Sequence, residues 1–187
     1  MSEARSVRAF VALELELDAP VRRTLAELQQ RLGPTLGGIR LVRPDGIHLT
    51  LRFLGPTRPE QIQALGAPLA TASRECPPLA AHVKGIGMFP DRGSPRVLWV
   101  GVELPPAALE LQRACERAAR DAGFEPEPRP FRAHLTLGRW RDRAARPALP
   151  ETDLGPTRLQ SLVLFQSETA QGGAVYTPLA RFALGSG

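Results

Sequence analysis

Lysine is almost missing from this chain. Lys84 is the only one, so arginine supplies nearly all of the 24 basic residues. The net charge of +5 therefore sits on guanidinium groups, planar forks that match phosphate oxygens. A basic chain of this kind favours polyanionic partners such as nucleic acid, although a solvated basic surface accounts for most of the arginines. Cysteine is scarce too. Cys76 and Cys115 lack metal-ligand spacing and read as free thiols in or near the core of a protein from a reducing compartment. No apolar run approaches the roughly 18 residues of a membrane span. The stretch from Phe10 to Leu17 is broken by Glu14 and Glu16, so it reads as a strand and not as a secretory signal. The expected location is the cytoplasm, with no membrane partner.

Histidine is equally rare, with three in 187 residues, and two of them share one word. His48-Leu49-Thr50-Leu51 recurs as His134-Leu135-Thr136-Leu137, 86 positions later. Arg43-Pro44 and Arg129-Pro130 precede the two words by the same interval. The repeat reads as an internal duplication. His82 has no threonine two residues on and reads as a strand histidine without catalytic duty.

Around these words the chain alternates strand and helix patterns. Val7 to Leu15 reads as a first strand. Asp18 offers an N-cap for a helix with Pro20 near its start, Val21, Leu25, Leu28 and Leu32 on its apolar face, and Gly33-Pro34 as its stop. Ile39 to Val42 is a short strand, and Pro44-Asp45-Gly46 is a turn leading into His48. Thr57 is placed to cap a second helix carrying Ile62, Leu65 and Leu69, whose last turn Pro68 puts in doubt. Leu79 to Ile86 and Arg96 to Val102 read as strands, with Met88 to Gly93 as the loop between them. Pro105-Pro106 opens a third helix with an apolar stripe through Ala108, Leu111, Cys115, Ala118, Ala119 and Ala122, ended by Gly123. Residues 141–156 read as a surface loop, and Leu159 to Gln166 and Tyr176 to Leu184 as closing strands. The expectation is an α+β fold with antiparallel sheets. It is a single domain over residues 1–187, made of two interleaved lobes related by a pseudo-two-fold axis. Each lobe contributes one His-Leu-Thr-Leu strand to a central groove, with helices outside.

Within a strand, residues i and i+2 share a face. His48 and Thr50 then point one way and Leu49 and Leu51 the other, and the second word repeats the pattern. Two polar faces meeting across a groove bring together two imidazoles and two hydroxyls. That set suits phosphodiester chemistry: one imidazole takes a proton from the attacking oxygen, and the other protonates the leaving oxygen. The hydroxyls of Thr50 and Thr136 hold non-bridging oxygens. Arg139, five residues after His134, is the candidate cation for the phosphate. Its counterpart in the first half is Phe53, a candidate platform for a base. The competing readings are a surface Arg139 and a core Phe53. Tyr176, the only tyrosine, either lines the groove or packs; Trp99 and Trp140 read as core or rim. Neither word holds an Asp, Glu or third His, and two histidines underfill a zinc site, so no metal and no cofactor are expected.

These residues resemble the two-histidine phosphoesterase superfamily, whose signature is a duplicated His-x-Thr-x. Within it the chain is most similar to the bacterial and archaeal RNA 2',3'-cyclic phosphodiesterases, also called 2'-5' RNA ligases. The resemblance runs through Arg8-Ala9-Phe10-Val11-Ala12, His48 to Gly55, Gly87-Met88-Phe89-Pro90 with Arg96 to Val102, and Phe131 to Arg139. It implies a two-lobed fold with the site in the groove. It also implies hydrolysis of a terminal 2',3'-cyclic phosphate to a 2'-phosphate, with reversible 2'-5' joining in some members. Carried across, His48 is the proton donor and His134 the acceptor. The implied partner is RNA with a 2',3'-cyclic phosphate end, or a small cyclic nucleotide, bound by a monomer. The rival of another class is a protein that holds RNA ends without turnover. It leaves the two histidine-threonine pairs unexplained, because arginine holds phosphate better across pH.

Overall fold

Val7–Leu15 forms the first strand, β1, and its central residues are all buried. That sets the theme of the structure, a computed structural model that describes residues 6–16, 20–170 and 173–185. The expected cap at Asp18 lies outside the described residues. Helix α1, Pro20–Leu32, buries Val21, Leu25 and Leu28 as its spacing predicts. After β2, Ile39–Leu41, and a single 3-10 turn at Pro44–Gly46, strand β3 runs from His48 to Thr57. Because β3 extends to Thr57, that residue does not cap the next helix. It is fully buried, its hydroxyl donates to the Gly55 carbonyl, and Arg58 takes the cap position. Helix α2, Pro59–Glu75, passes straight through Pro68. The sequence-based doubt about its last turn is thereby corrected. Leu65, Leu69 and Ser73 are buried on either side of the proline, and that packing outweighs the lost backbone bond.

Strand β4, Leu79–Phe89, reaches two residues into the expected loop, and β5, Val97–Glu103, returns beside it. Helix α3, Pro106–Asp121, buries Ala108, Leu111, Cys115, Ala118 and Ala119, and Gly123 at φ 83° ends it. Both cysteines are buried free thiols. Strand β6, His134–Trp140, carries the second word. The closing strands are longer than the sequence suggests. Strand β7 spans Asp153–Ala170 and takes in the end of the expected surface loop; β8 spans Gly173–Ala183.

All strand pairings are antiparallel. One half-sheet has the order β3-β1-β7-β8, and the other β2-β6-β5-β4-β7. Strand β7 belongs to both: its first part pairs with β4 and its second with β1. At the opposite side the halves touch again through the pair Leu49–Leu135. The two half-sheets are thus joined at both sides, and beside a small cluster of Phe10, Ala12, Val163 and Phe165 they carry one large apolar core. That core takes in Leu49, Leu51, Leu135 and Leu137 together with the apolar stripes of all three helices. Gly138 fits this closure. A Cβ there would come within 2.7 Å of Ile39 Cδ1 and 3.0 Å of the Arg40 carbonyl oxygen, so a side chain at this position would crowd β2 where it lies against β6.

Candidate active site

The alternation inside the two words does what a pleated strand requires. Leu49, Leu51, Leu135 and Leu137 are at most 4% exposed, while His48, Thr50, His134 and Thr136 keep access to the other face. The words meet head to tail at Leu49–Leu135. In an antiparallel pair this register puts His48 across from Thr136, and Thr50 across from His134, on one face. The imidazoles then occupy diagonal positions, roughly 7–8 Å apart at the backbone in a regular ladder. Only this one pair joins the strands, which part on either side of it.

The four side chains line a groove of about 1270 Å³ with Arg139, Phe53 and Tyr176. Seven arginines line it against three carboxylates, Asp91, Glu116 and Glu127, so the groove concentrates positive charge. Phe53 is 44% exposed, which excludes the core reading for it. Arg139 is exposed as well, and its charge disfavours the protonated form of both imidazoles. Its field therefore reaches both.

Each imidazole is held in the same way. His48 Nδ1 lies 2.8 Å from the Gly46 carbonyl, and His134 Nδ1 lies 2.6 Å from the Arg132 carbonyl. With Nδ1–H donating to a carbonyl in both cases, Nε2 is the free nitrogen of each neutral ring. The sequence carries no trace of this device, because the acceptors are backbone atoms two residues upstream.

The surroundings of the two rings differ. His48 stacks on Phe10 at 4.6 Å and meets the edge of Tyr176 at 4.9 Å, with Phe165 at 5.8 Å. Burial in this aromatic box, helped by the charges of Arg139 and His134, lowers its pKa from 6.5 to about 4 against the opposing pull of the Gly46 carbonyl. His134 meets the edge of Phe89 at 5.0 Å. Its pKa is also lowered, chiefly by burial and then by Arg139 and Arg132. Tyr176 thus lines the groove and packs at once. Burial raises its phenol pKa, so it stays a neutral donor. Trp99 packs 5.2 Å from Phe89, and Trp140 is a core residue whose Nε1 donates to the Gly37 carbonyl. His82 stands apart, paired with Asp153 at 2.6 Å.

Arg52, the residue after the first word, escaped the sequence reading. It is 6% exposed, with Nε 2.7 Å from Glu116 and Nη1 3.6 Å from Glu127. It also donates to the carbonyls of Phe53 and Glu125. It ties β3 to α3 and to the segment leading into the second word. Among the described residues no three His, Cys, Asp or Glu side chains gather as a metal site, and no helix is long and apolar enough to cross a membrane.

Known proteins with this arrangement are readily found. The family model of the LigT-like phosphoesterases matches residues 15–99 and 101–176. A curated Methanothermobacter thermautotrophicus protein named RNA 2',3'-cyclic phosphodiesterase is 30% identical over 95% of this chain and 99% of its own length. One of the same name from Thermus thermophilus is 33% identical over 95% and 90%. A crystal structure of a Thermus thermophilus protein superposes with a TM-score of 0.85 at 30% identity, covering 95% of this chain and 98% of that one. Escherichia coli LigT complexed with 3'-AMP gives 0.79 at 28% identity, covering 96% and 98%. The chain belongs to the LigT-like phosphoesterases, a family of the two-histidine phosphoesterase superfamily.

Proposed function

We propose that the protein hydrolyses RNA ends bearing a 2',3'-cyclic phosphate to 2'-phosphomonoesters, without a metal ion. The observation that carries this reading is the pair of imidazoles, each fixed through Nδ1, that share one groove face with two threonines. His134 accepts a proton from the attacking water as the water oxygen bonds to phosphorus. The bond from phosphorus to O3' breaks, and His48 donates its proton to O3'. Thr50, Thr136 and Arg139 hold the non-bridging oxygens, where negative charge grows. Phe53 offers an exposed face for a base. With a 5'-hydroxyl in place of water, the same steps form a 2'-5' linkage, the reversible ligation.

The depressed pKa of His48 bears on the order of events. Alone with Arg139 and His134, the ring is neutral at pH 7. A phosphodiester anion between the rings offsets the Arg139 charge and draws onto His48 the proton it later gives up.

RNA, in preference to a small cyclic nucleotide, is supported by the groove itself. Its roughly 1270 Å³ exceeds the ~300–1,000 Å³ of pockets for small ligands, and arginines extend along it. The curated relatives' name points the same way. The test is product analysis after incubation with RNA ending in a 2',3'-cyclic phosphate, with and without EDTA. A 2'-phosphate end formed equally in both is expected. RNA bound but unchanged would favour the end-holding rival, and activity restored only by a divalent ion would end the metal-free mechanism.

A further inference from the structure

The two imidazoles are anchored alike, but the carbonyls that anchor them are supported differently. Gly46 has no side chain and is the last residue of a 3-10 turn, where its N–H donates to the Arg43 carbonyl. The carbonyl for His134 belongs to Arg132, whose side chain is itself tied down. The Arg132 guanidinium lies over the Phe89 ring at 4.6 Å and near Trp99 at 5.6 Å. Its Nη1 lies 3.0 Å from both oxygens of Asp91. Phe89 also meets the edge of the His134 ring. The turn that carries Phe89 and Asp91 is held in turn by Arg146, which donates to the carbonyls of Pro90 and Gly93 at 3.0 and 3.2 Å. A chain of contacts thus runs from Arg146 through the backbone around Pro90 and Gly93, and from Asp91 and Phe89 in that segment to Arg132, ending on His134 Nδ1.

We propose that Asp91 and Arg132 are positioning residues for His134: the carboxylate and the Phe89 ring immobilise Arg132, and its carbonyl then holds the imidazole with Nε2 toward the groove. This rests on the proposed reaction, in which His134 is the proton acceptor. Asp91 is acidic and unsuited to touching a phosphate, so its effect must pass through Arg132. The competing role for Arg132 is direct phosphate binding, with Asp91 as a competitor for the guanidinium. The two roles predict opposite signs. Under positioning, loss of Asp91 lowers kcat and leaves KM near its parent value. Under competition, it frees Arg132, lowers KM and leaves kcat alone.

The experiment uses Asp91→Asn, Asp91→Ala, Arg132→Ala and Arg132→Lys in the full chain, with RNA bearing a 2',3'-cyclic phosphate as substrate. The expected loss in kcat for Asp91→Ala is roughly fivefold, the upper end for a half-exposed ion pair. Arg132→Lys rescues only in part, because an ammonium can meet the Asp91 carboxylate but does not stack on Phe89 and Trp99 as a plane. Nitrogen-15 NMR of the His134 ring supplies a readout that does not need turnover. The parent should show the single tautomer protonated at Nδ1, and Arg132→Ala and Asp91→Ala a mixture of both. Asp91→Asn keeps the shape and guards against misfolding. Unchanged tautomer and kcat in folded variants, or a lowered KM at constant kcat, would overturn the proposal. An inactive parent with the tautomer shift intact would instead count against the proposed reaction.

Discussion

His48 makes the stability of the native state depend on pH in a way that can be isolated. The ring titrates near its ordinary 6.5 in the unfolded chain and near about 4 in the aromatic box. Above 6.5 both states are neutral there, and the full stability is present. Between 6.5 and about 4 the unfolded state binds more protons, so acidification favours unfolding; below that the loss is complete. A shift of this size corresponds to about 3 kcal/mol, an upper limit because His48 is only partly shielded from solvent. The perturbation is His48→Ala. At pH 7 the variant loses the packing of the ring against Phe10, Phe165 and Tyr176 and is the less stable protein. Near pH 4 the parent carries its own penalty, which the variant lacks. Urea unfolding of both proteins from pH 7.5 to 4 should therefore show their stabilities converging, by about 2–3 kcal/mol. The carboxylates titrate in both proteins and drop out of the difference, and of His134 only its coupling to His48 remains. A stability gap that stays constant across this range would refute the buried, neutral imidazole.

Four further outcomes are expected. His48→Ala and His134→Ala should each lower the rate on a cyclic phosphate by roughly 10²–10⁴. The parent's bell-shaped pH profile, whose limbs belong to the coupled pair, should lose one limb in each variant. Arg139→Ala should reduce kcat/KM at least about tenfold with the fold intact, with lysine restoring part of it; an unchanged value would remove Arg139 from the site. Arg52→Ala should destabilise the protein by about 3 kcal/mol in chemical denaturation, because it removes the cation beside Glu116 and leaves a buried gap, while Glu127 keeps Arg129.

What the sequence made legible follows from how local each feature is. The faces of the two words depend only on alternation, and burial of Leu49, Leu51, Leu135 and Leu137 agrees with it. The apolar stripes of α1 and α3 are equally local. The aromatic box of His48 was out of reach because Phe10, Phe165 and Tyr176 come from β1, β7 and β8, brought together only by sheet pairing. The start of β7 reads as loop because it closes a stretch rich in Pro, Arg and Ala that ends at Pro156. Here Gly155 at φ 86° sits beside an irregularity in the pairing with β4, and the strand continues. Pro68 misled for the same reason: a local rule was overruled by burial of the helix around it.

The sharing of β7 also bears on how the molecule is made. Arg8, near the beginning, lies opposite Ser167, near the end, and β2 of the first half finishes an edge of the second half's sheet. The halves have exchanged strands, as subunits of a swapped dimer do, within one polypeptide. A ribosome that has released the first His-Leu-Thr-Leu word has not yet made β7, the strand that must lie on the other side of β1 from β3. The first lobe therefore waits, with an open edge, until nearly the whole chain has emerged. Such long-range pairing slows folding and leaves unpaired edges exposed in the meantime. The groove that seats two imidazoles is thus among the last features of the protein to exist.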